Sequence, residues 1–221
     1  MKKAIVLLSG GQDSTTCLYW ALEKFKKVEC LLFDYGQSHI KELFYATENA
    51  NRVGAPYTVL TVQGLLALSS LTDRSDHNKP SRINPELPDS FTAGRNLLFL
   101  ALAGSRAAST GISDIVTGVC QTDYSGYPDC RRTTIEAMQL ALSLGLGAGD
   151  IRIHTPLMYK NKAETWKMAK EMNILDIIIK NTLTDYTGDE TQNEWGLGTL
   201  DNPASKLRAK GYYEALENGW L

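Results

Sequence analysis

At 221 residues the chain is long enough for one large α/β domain, or a domain with a small appendage, and for a substantial buried core. Its 23 basic and 25 acidic residues leave a net charge of -2, which excludes a general electrostatic grip on nucleic acid or on an anionic membrane and favours small, locally recognised partners. No run approaches the ~18 apolar residues of a transmembrane helix, and the apolar stretch after the opening lysines is about six residues, below the ~7–15 of a signal sequence, so a cytoplasmic protein is expected.

In chain order, Lys3 to Leu8 is a continuous apolar run of the kind covered on both faces of a sheet, and Asp13 to Phe25 follows with apolar residues at helical spacing. VECLLFDYG is a second strand, IKELFYATENANRVG an amphipathic helix closed by Gly54, and PYTVLTV a third strand. This alternation predicts an α/β fold, a doubly wound parallel sheet with right-handed crossovers. Residues 69–92, rich in Ser, Asp, Asn and Pro without apolar period, make one long loop of the length used for lids and binding loops. Asn96 to Thr110 reads as a helix, DIVTGVC as a fourth strand, Thr133 to Leu144 as a helix, IRIHTPL as a short strand and Lys162 to Met172 as a helix. Thr182 to Thr199 is rich in Gly, Thr and Asp and precedes a last helix near Lys206 to Glu217.

Cys17, Cys30, Cys120 and Cys130 include no CxxC pair and no matching histidine spacing, so they read as reduced thiols and no metal site is expected from them. His39, His77 and His154 are scattered and read as surface or partly buried imidazoles.

The chemistry concentrates in Ser9-Gly10-Gly11-Gln12-Asp13-Ser14, at the first strand-to-helix turn, where phosphates meet backbone amides and the positive helix end. The glycines allow positive φ and close backbone approach, Ser9 and Ser14 offer hydroxyls, and Asp13 can reach a magnesium ion on the anion. The lysine of an ATP-hydrolysing P-loop is missing. Glycine and serine after a strand also make ordinary turns; the full S-G-G-x-D-S after a buried opening strand is far more specific, and it resembles the pyrophosphate loop of the ATP pyrophosphatase family. The resemblance implies cleavage between the α and β phosphates, with the loop holding the departing pyrophosphate.

Further stretches, LLFDYGQSHIKEL, AGRNLLFLALA, TGVCQTDYSGYPDCR, TPLMYKNKAET and SKLRAKGY, together resemble the 7-cyano-7-deazaguanine synthase family, in order from residue 3 to about residue 213. The resemblance implies an enzyme that adenylates 7-carboxy-7-deazaguanine with ATP and Mg2+, takes ammonia to the amide, then uses a second ATP to reach the nitrile. It also implies a homodimer, with residues 1–180 as the ATP-binding α/β domain and 181–221 as a C-terminal segment packed on it. Tyr35 and Gly36, ending the second strand, fall on the nucleotide side with the loop.

A guanine-like edge offers N–H donors to a carboxylate, which Asp123 or Asp129 could supply, although Asp beside Gly and Pro also caps turns. Tyr124 and Tyr127 could stack on the heterocycle, or pack as core. Arg95, with Asn96 and after Gly94, suits a bidentate grip on an α-phosphate or the substrate carboxylate, against a surface ion pair. Lys160 or Lys162 could neutralise charge at phosphorus, or be a solvated helix start. Arg131 is equally open, and Gly118 lies beside these groups in TGVC. The resemblance favours Asp129, Arg95 and Lys162, with Asp13, as the working set.

The family carries four zinc-binding cysteines near its end, and the matching positions here are Asp185, Thr199, Asn202 and Ser205. Structural zinc wants thiolate or imidazole ligands, so no structural zinc is expected, and hydrogen bonds or partner contacts must hold the segment. Two glycines beside Trp195 suggest an aromatic plug there. With this part of the site rebuilt, the acyl group is expected to pass either to ammonia or, slightly favoured, to another amine such as a protein amino group, as in defence-type relatives. A non-catalytic nucleotide binder, disfavoured by Asp13, and a tRNA-thiolating enzyme using Cys120 or Cys130, disfavoured by the charge balance, are the alternatives.

Overall fold

The computed structural model describes residues 2–37, 40–66, 69–73, 79–81, 83–122, 127–147 and 149–221. The chain runs β1 (Lys3–Leu7), α1 (Gln12–Lys24), β2 (Lys27–Asp34), α2 (Lys41–Arg52), β3 (Tyr57–Thr61), the one-turn α3 (Ser70–Asp73), α4 (Arg95–Thr110), β4 (Asp114–Val116), a 3-10 turn at Pro128–Cys130, α5 (Arg132–Gly145), β5 (Arg152–His154), α6 (Lys162–Glu171), α7 (Leu175–Asn181), the short strands β6 (Gln192–Asn193) and β7 (Gly196–Leu197), and α8 (Pro203–Glu217).

Five parallel strands lie in the order β3-β2-β1-β4-β5. Because side chains alternate across a strand, Ala4 and Val6 of β1 with Cys30 and Leu32 of β2 join one core against α1 and α2, while Ile5, Leu31 and Phe33 join the other against α4 and α5. Covering both faces is what makes the strands read as unbroken apolar runs, and the expected doubly wound sheet is the architecture found. A third core lies among the later helices, with Trp166, Ile178, Trp195 and Ala209 buried together.

The chain leaves β1 toward β2 and β3 on one side, then returns to pair β4 and β5 on the other. Strand order therefore reverses at the carboxyl ends of β1 and β4, the crevice where ligands of such sheets bind. The fourth strand stops at Val116, short of the DIVTGVC run, because Gly118 turns under the loop after β1; a Cβ there would sit 3.1 Å from the Asp13 carbonyl carbon. Leu175–Asn181, with three consecutive isoleucines, is helical because burial of Ile178 in the third core overrides β-branched preference.

The long loop returns on itself. Asp89 N–H donates to Lys79 O at 2.8 Å and Ser70 N–H to Asp89 O at 3.0 Å, and the Ser69 and Thr92 hydroxyls meet at 2.6 Å, so its two ends close beside the start of α4.

Candidate active site

The loop after β1 is braced by its own hydroxyls: Ser9 N–H donates to Ser14 Oγ at 3.1 Å, the Ser9 and Ser14 hydroxyls lie 3.0 Å apart, and Ser14 Oγ donates to Gly11 O at 3.3 Å. Gly10 has φ +88°, and a Cβ on it would lie 2.3 Å from Glu42 O and 2.7 Å from Ala46 N. The glycine is thus required twice, for its dihedral and for the approach of α2. Gly11, N-cap of α1, brings no side chain to the helix start, leaving that end of the dipole facing the loop. The Gln12 side chain is buried without a hydrogen-bond partner among the described residues, so Gln12 serves the loop through its backbone, whose N–H donates to Thr184 Oγ1 at 3.2 Å.

Lys162 reaches the loop from the first turn of α6. Asn161 and Glu164 form a reciprocal capping box that fixes this turn. The Lys162 side chain is 9% exposed, and its ammonium bonds both Asp13 oxygens, at 3.0 and 2.8 Å. Gly211 of α8 makes the space for it, since a Cβ would stand 2.6 Å from Lys162 Cβ and 2.7 Å from its Cγ. Lys162 is therefore the lysine brought to Asp13. Gly211→Ala is expected to push α8 and Lys162 apart, lowering stability by about 1–3 kcal/mol as other overpacking changes do. Thermal unfolding reads this, and the accompanying loss of pyrophosphate release distinguishes displacement of Lys162 from mere loosening of α8.

Across the crevice stands an aromatic, charged cluster. Gly94, φ +76°, starts α4, and Arg95 lies with its guanidinium 5.7 Å from the Tyr35 ring centroid. Asp129, buried in the 3-10 turn, accepts from Asn96 N–H at 3.1 Å and Asn96 Nδ2 at 3.0 Å, so one of its oxygens caps α4 and holds Arg95 in register; Cys130 Sγ donates weakly to the other, at 3.8 Å. Tyr127 meets the Ser90 hydroxyl at 2.7 Å and packs on Phe91, fastening the long loop to the same wall.

Burial pushes the Tyr35 hydroxyl up to about 12, and burial raises Tyr127 and Tyr186 as well, so all three stay neutral at neutral pH. Arg95 is held above its ordinary value against its burial, by the Tyr35 and Tyr186 hydroxyls and then the Asp129 carboxylate. Burial lifts the Glu42 carboxyl to about 7, with Arg95 pulling it down and Asp185 pushing it up.

The structure thus brings together Ser9 through Ser14 with Lys162 and Gly118, and separately Arg95 and Asn96 with Tyr35, Tyr127 and Asp129. Gly36, φ +80°, turns the chain after β2, its N–H bonded to Asp34 Oδ1 at 3.2 Å. Arg131 is exposed at the N-cap of α5, and Asp123 and Tyr124 lie outside the described residues. Sequence reasoning missed Glu42, Thr184, Tyr186 and Arg208. Glu42 and Arg208 lie in stretches chosen for their resemblance, and Thr184 and Tyr186 flank Asp185 in the stretch that departs from the family, yet the roles of all four depend on distant partners. Arg208, fully buried, donates to Trp195 O, Thr182 O, Thr184 Oγ1 and Ile178 O; burial lowers its pKa to about 10. The aromatic plug is not found: Trp195 packs in the helical core, and the space beside Gly196 and Gly198 is taken by Arg208 and by Asp185 with Ser205.

The family model described as "Queuosine biosynthesis protein QueC" matches residues 3–216. This chain belongs to the QueC family. Among relatives of this QueC chain, the 7-cyano-7-deazaguanine synthase of Rhodopseudomonas palustris (strain ATCC BAA-98 / CGA009) is 45% identical, covering 96% of this chain and 95% of its own length. That of Lysinibacillus sphaericus (strain C3-41) is also 45% identical, over 97% and 96%. In fold the QueC chain is similar to the U34-tRNA thiolase NcsA of Methanococcus maripaludis, with a TM-score of 0.51 at 12% identity, covering 99% of this chain and 67% of the other. A 4-thiouridine synthetase solved with RNA and ATP gives 0.50 at 17% identity, over 99% and 53%. No helix among the described residues is long and apolar enough to cross a membrane.

Proposed function

We propose that the chain adenylates the carboxylate of 7-carboxy-7-deazaguanine and passes the acyl group to ammonia, with 7-cyano-7-deazaguanine as product. The observation that carries this reading is the pairing of Lys162 with Asp13 on the braced loop, facing the Arg95 cluster across the strand-order reversal. A substrate carboxylate oxygen attacks the α-phosphorus of ATP and pyrophosphate leaves. The positive start of α1, with the backbone N–H groups of Asp13 and Ser14, holds the departing pyrophosphate, Lys162 neutralises charge accumulating at phosphorus, and Arg95 holds the carboxylate in line. Ammonia then displaces AMP at the acyl carbon and gives up a proton. The amide oxygen attacks the α-phosphorus of a second ATP, expelling pyrophosphate, and departure of that oxygen with AMP, together with loss of both nitrogen protons, leaves the nitrile.

Magnesium fits here as an ion held mainly by phosphates and water, because Asp13 brings a single carboxylate and no group of three His, Cys, Asp or Glu gathers among the described residues. It would offset charge on the nucleotide phosphates. The family at 45% identity over nearly the whole chain supports the free nitrile rather than a protein conjugate. Mass spectrometry of the protein with ATP, magnesium and the carboxylate, with and without ammonium, tests the reading: nitrile with AMP and pyrophosphate is expected, whereas an amide alone or a mass gain on a protein would replace it with conjugation.

Glu42 gives a pH signature. Its carboxyl holds a proton more firmly folded, near 7, than at its ordinary 4.5, so its contribution to stability is complete below 4.5 and lost as pH rises through 7. Arg95, Asp185, Tyr186 and Tyr35 are the charged or titratable groups coupled to it. Glu42→Gln is expected to gain melting temperature relative to the parent between pH 5 and pH 8, conditions bracketing that transition. Parallel melting curves across that range would mean that the Glu42 carboxyl is fully solvated.

A further inference from the structure

The four positions that carry zinc thiolates in the family resemblance converge in this chain on one buried carboxylate. Asp185 is fully buried. Its Oδ2 accepts from Thr199 N–H at 3.1 Å, Asn202 Nδ2 at 2.7 Å and Ser205 Oγ at 2.7 Å. Its Oδ1 accepts from Thr187 N–H at 2.8 Å, the Thr187 hydroxyl and Asp189 N–H at 3.4 Å. Asn202 turns its other side-chain atom, Oδ1, to Ser205 N–H at 3.1 Å, capping α8. Gly198, φ +128°, closes the remaining space: a Cβ there would lie 2.8 Å from Asp185 Oδ2 and 2.9 Å from Ser205 Oγ.

These groups do not fit zinc. A metal needs lone pairs directed at one point, whereas Thr199 presents a backbone N–H, Asn202 an amino group and Ser205 a hydroxyl proton to the single anion. Hydrogens fill the directions that ligand lone pairs would have to take.

The flanks of Asp185 lead into the active site. Two residues earlier, Leu183 N–H donates to Gly10 O at 3.1 Å, and Thr184 Oγ1 accepts from both Gln12 N–H, at 3.2 Å, and Arg208, at 3.1 Å. One residue later, Tyr186 is electrostatically coupled to Arg95, Tyr127 and Glu42. We infer that Asp185 is a positioning residue, a carboxylate hub that replaces the zinc site without metal and holds residues 183–186 against the phosphate loop. Its effect on nucleotide is exerted through Thr184 and Leu183, and that part rests on the proposed nucleotide site.

The test uses the protein as purified. Elemental analysis is expected to find zinc far below one atom per chain, and a strong chelator is expected to leave the melting temperature unchanged; stoichiometric zinc whose removal lowers the melting temperature would overturn the metal-free hub. Asp185→Asn sets an amide against the same donors. Calorimetric titration with an α,β-methylene ATP analogue and magnesium, well below each protein's melting point, is expected to show about tenfold weaker binding at unchanged stoichiometry, the scale of one misplaced hydrogen bond. A purely structural aspartate would instead reduce the fraction of competent sites while leaving the dissociation constant alone, and that result would overturn the positioning role. Failure of the parent to bind the analogue would sink the nucleotide reading of the loop, while zinc content and melting behaviour would still judge the hub.

Discussion

Lys162→Met is expected to lower ATP-dependent pyrophosphate release by about 10²–10³-fold, the cost of removing one preorganised group from a site of developing charge. Lys162 is nearly buried between α6 and α8, and its ammonium is aimed at the loop through both oxygens of Asp13. Asp13, with 29% of its side chain exposed, retains water when the lysine is gone, so the melting temperature should fall only slightly. The substitution thereby separates chemistry from folding. Lys162→Arg should rescue poorly, because the wider guanidinium fork must enter a space where Gly211 already approaches the lysine stem too closely for a methyl group. Pyrophosphate release within about threefold of the parent would reduce Lys162 to an ordinary ion pair, whose removal costs about 0–1 kcal/mol.

Gly10→Ala acts on the opposite side of that separation. A side chain at φ +88° costs about 1–2 kcal/mol, and driving a Cβ into the Glu42 carbonyl and the Ala46 amide adds the ~1–3 kcal/mol of overpacking. At ~2–4 °C per kcal/mol for a chain of this size, the melting temperature should drop by roughly 4–20 °C. The neighbouring backbone atoms belong to α2, so relief requires the helix to move and the loop to open. Scanning calorimetry with and without ATP and magnesium would show both effects, as a lower transition and a smaller ligand-induced rise. An unchanged transition would mean that α2 shifts freely, and that the tight approach is dispensable.

What was legible in the sequence follows from short-range causes. The apolar run of Lys3 to Leu8 and the glycine closure at Gly54 are local patterns that became the expected elements within a residue or two, whereas the strands expected over DIVTGVC and IRIHTPL end early, at Val116 and His154. The loop from Ser9 to Ser14 was legible because its glycines and hydroxyls satisfy one another over five residues. Leu175–Asn181 was not, since the isoleucines favour strand locally and only burial of Ile178 among later helices makes the helix.

The sequence by itself determined the parallel α/β order, the glycine-serine turn after β1 and membership in a family whose motifs run along the chain. Only the tertiary structure decided that Asp129 caps α4, that Gly211 admits Lys162, that a buried Arg208 ties four segments together, and that Asp185 gathers the former cysteine positions around one anion. The physical reason is distance along the chain. Gln12 meets Thr184 across 172 residues and Lys162 meets Asp13 across 149, and no local propensity encodes contacts that depend on the path of every strand and helix between them.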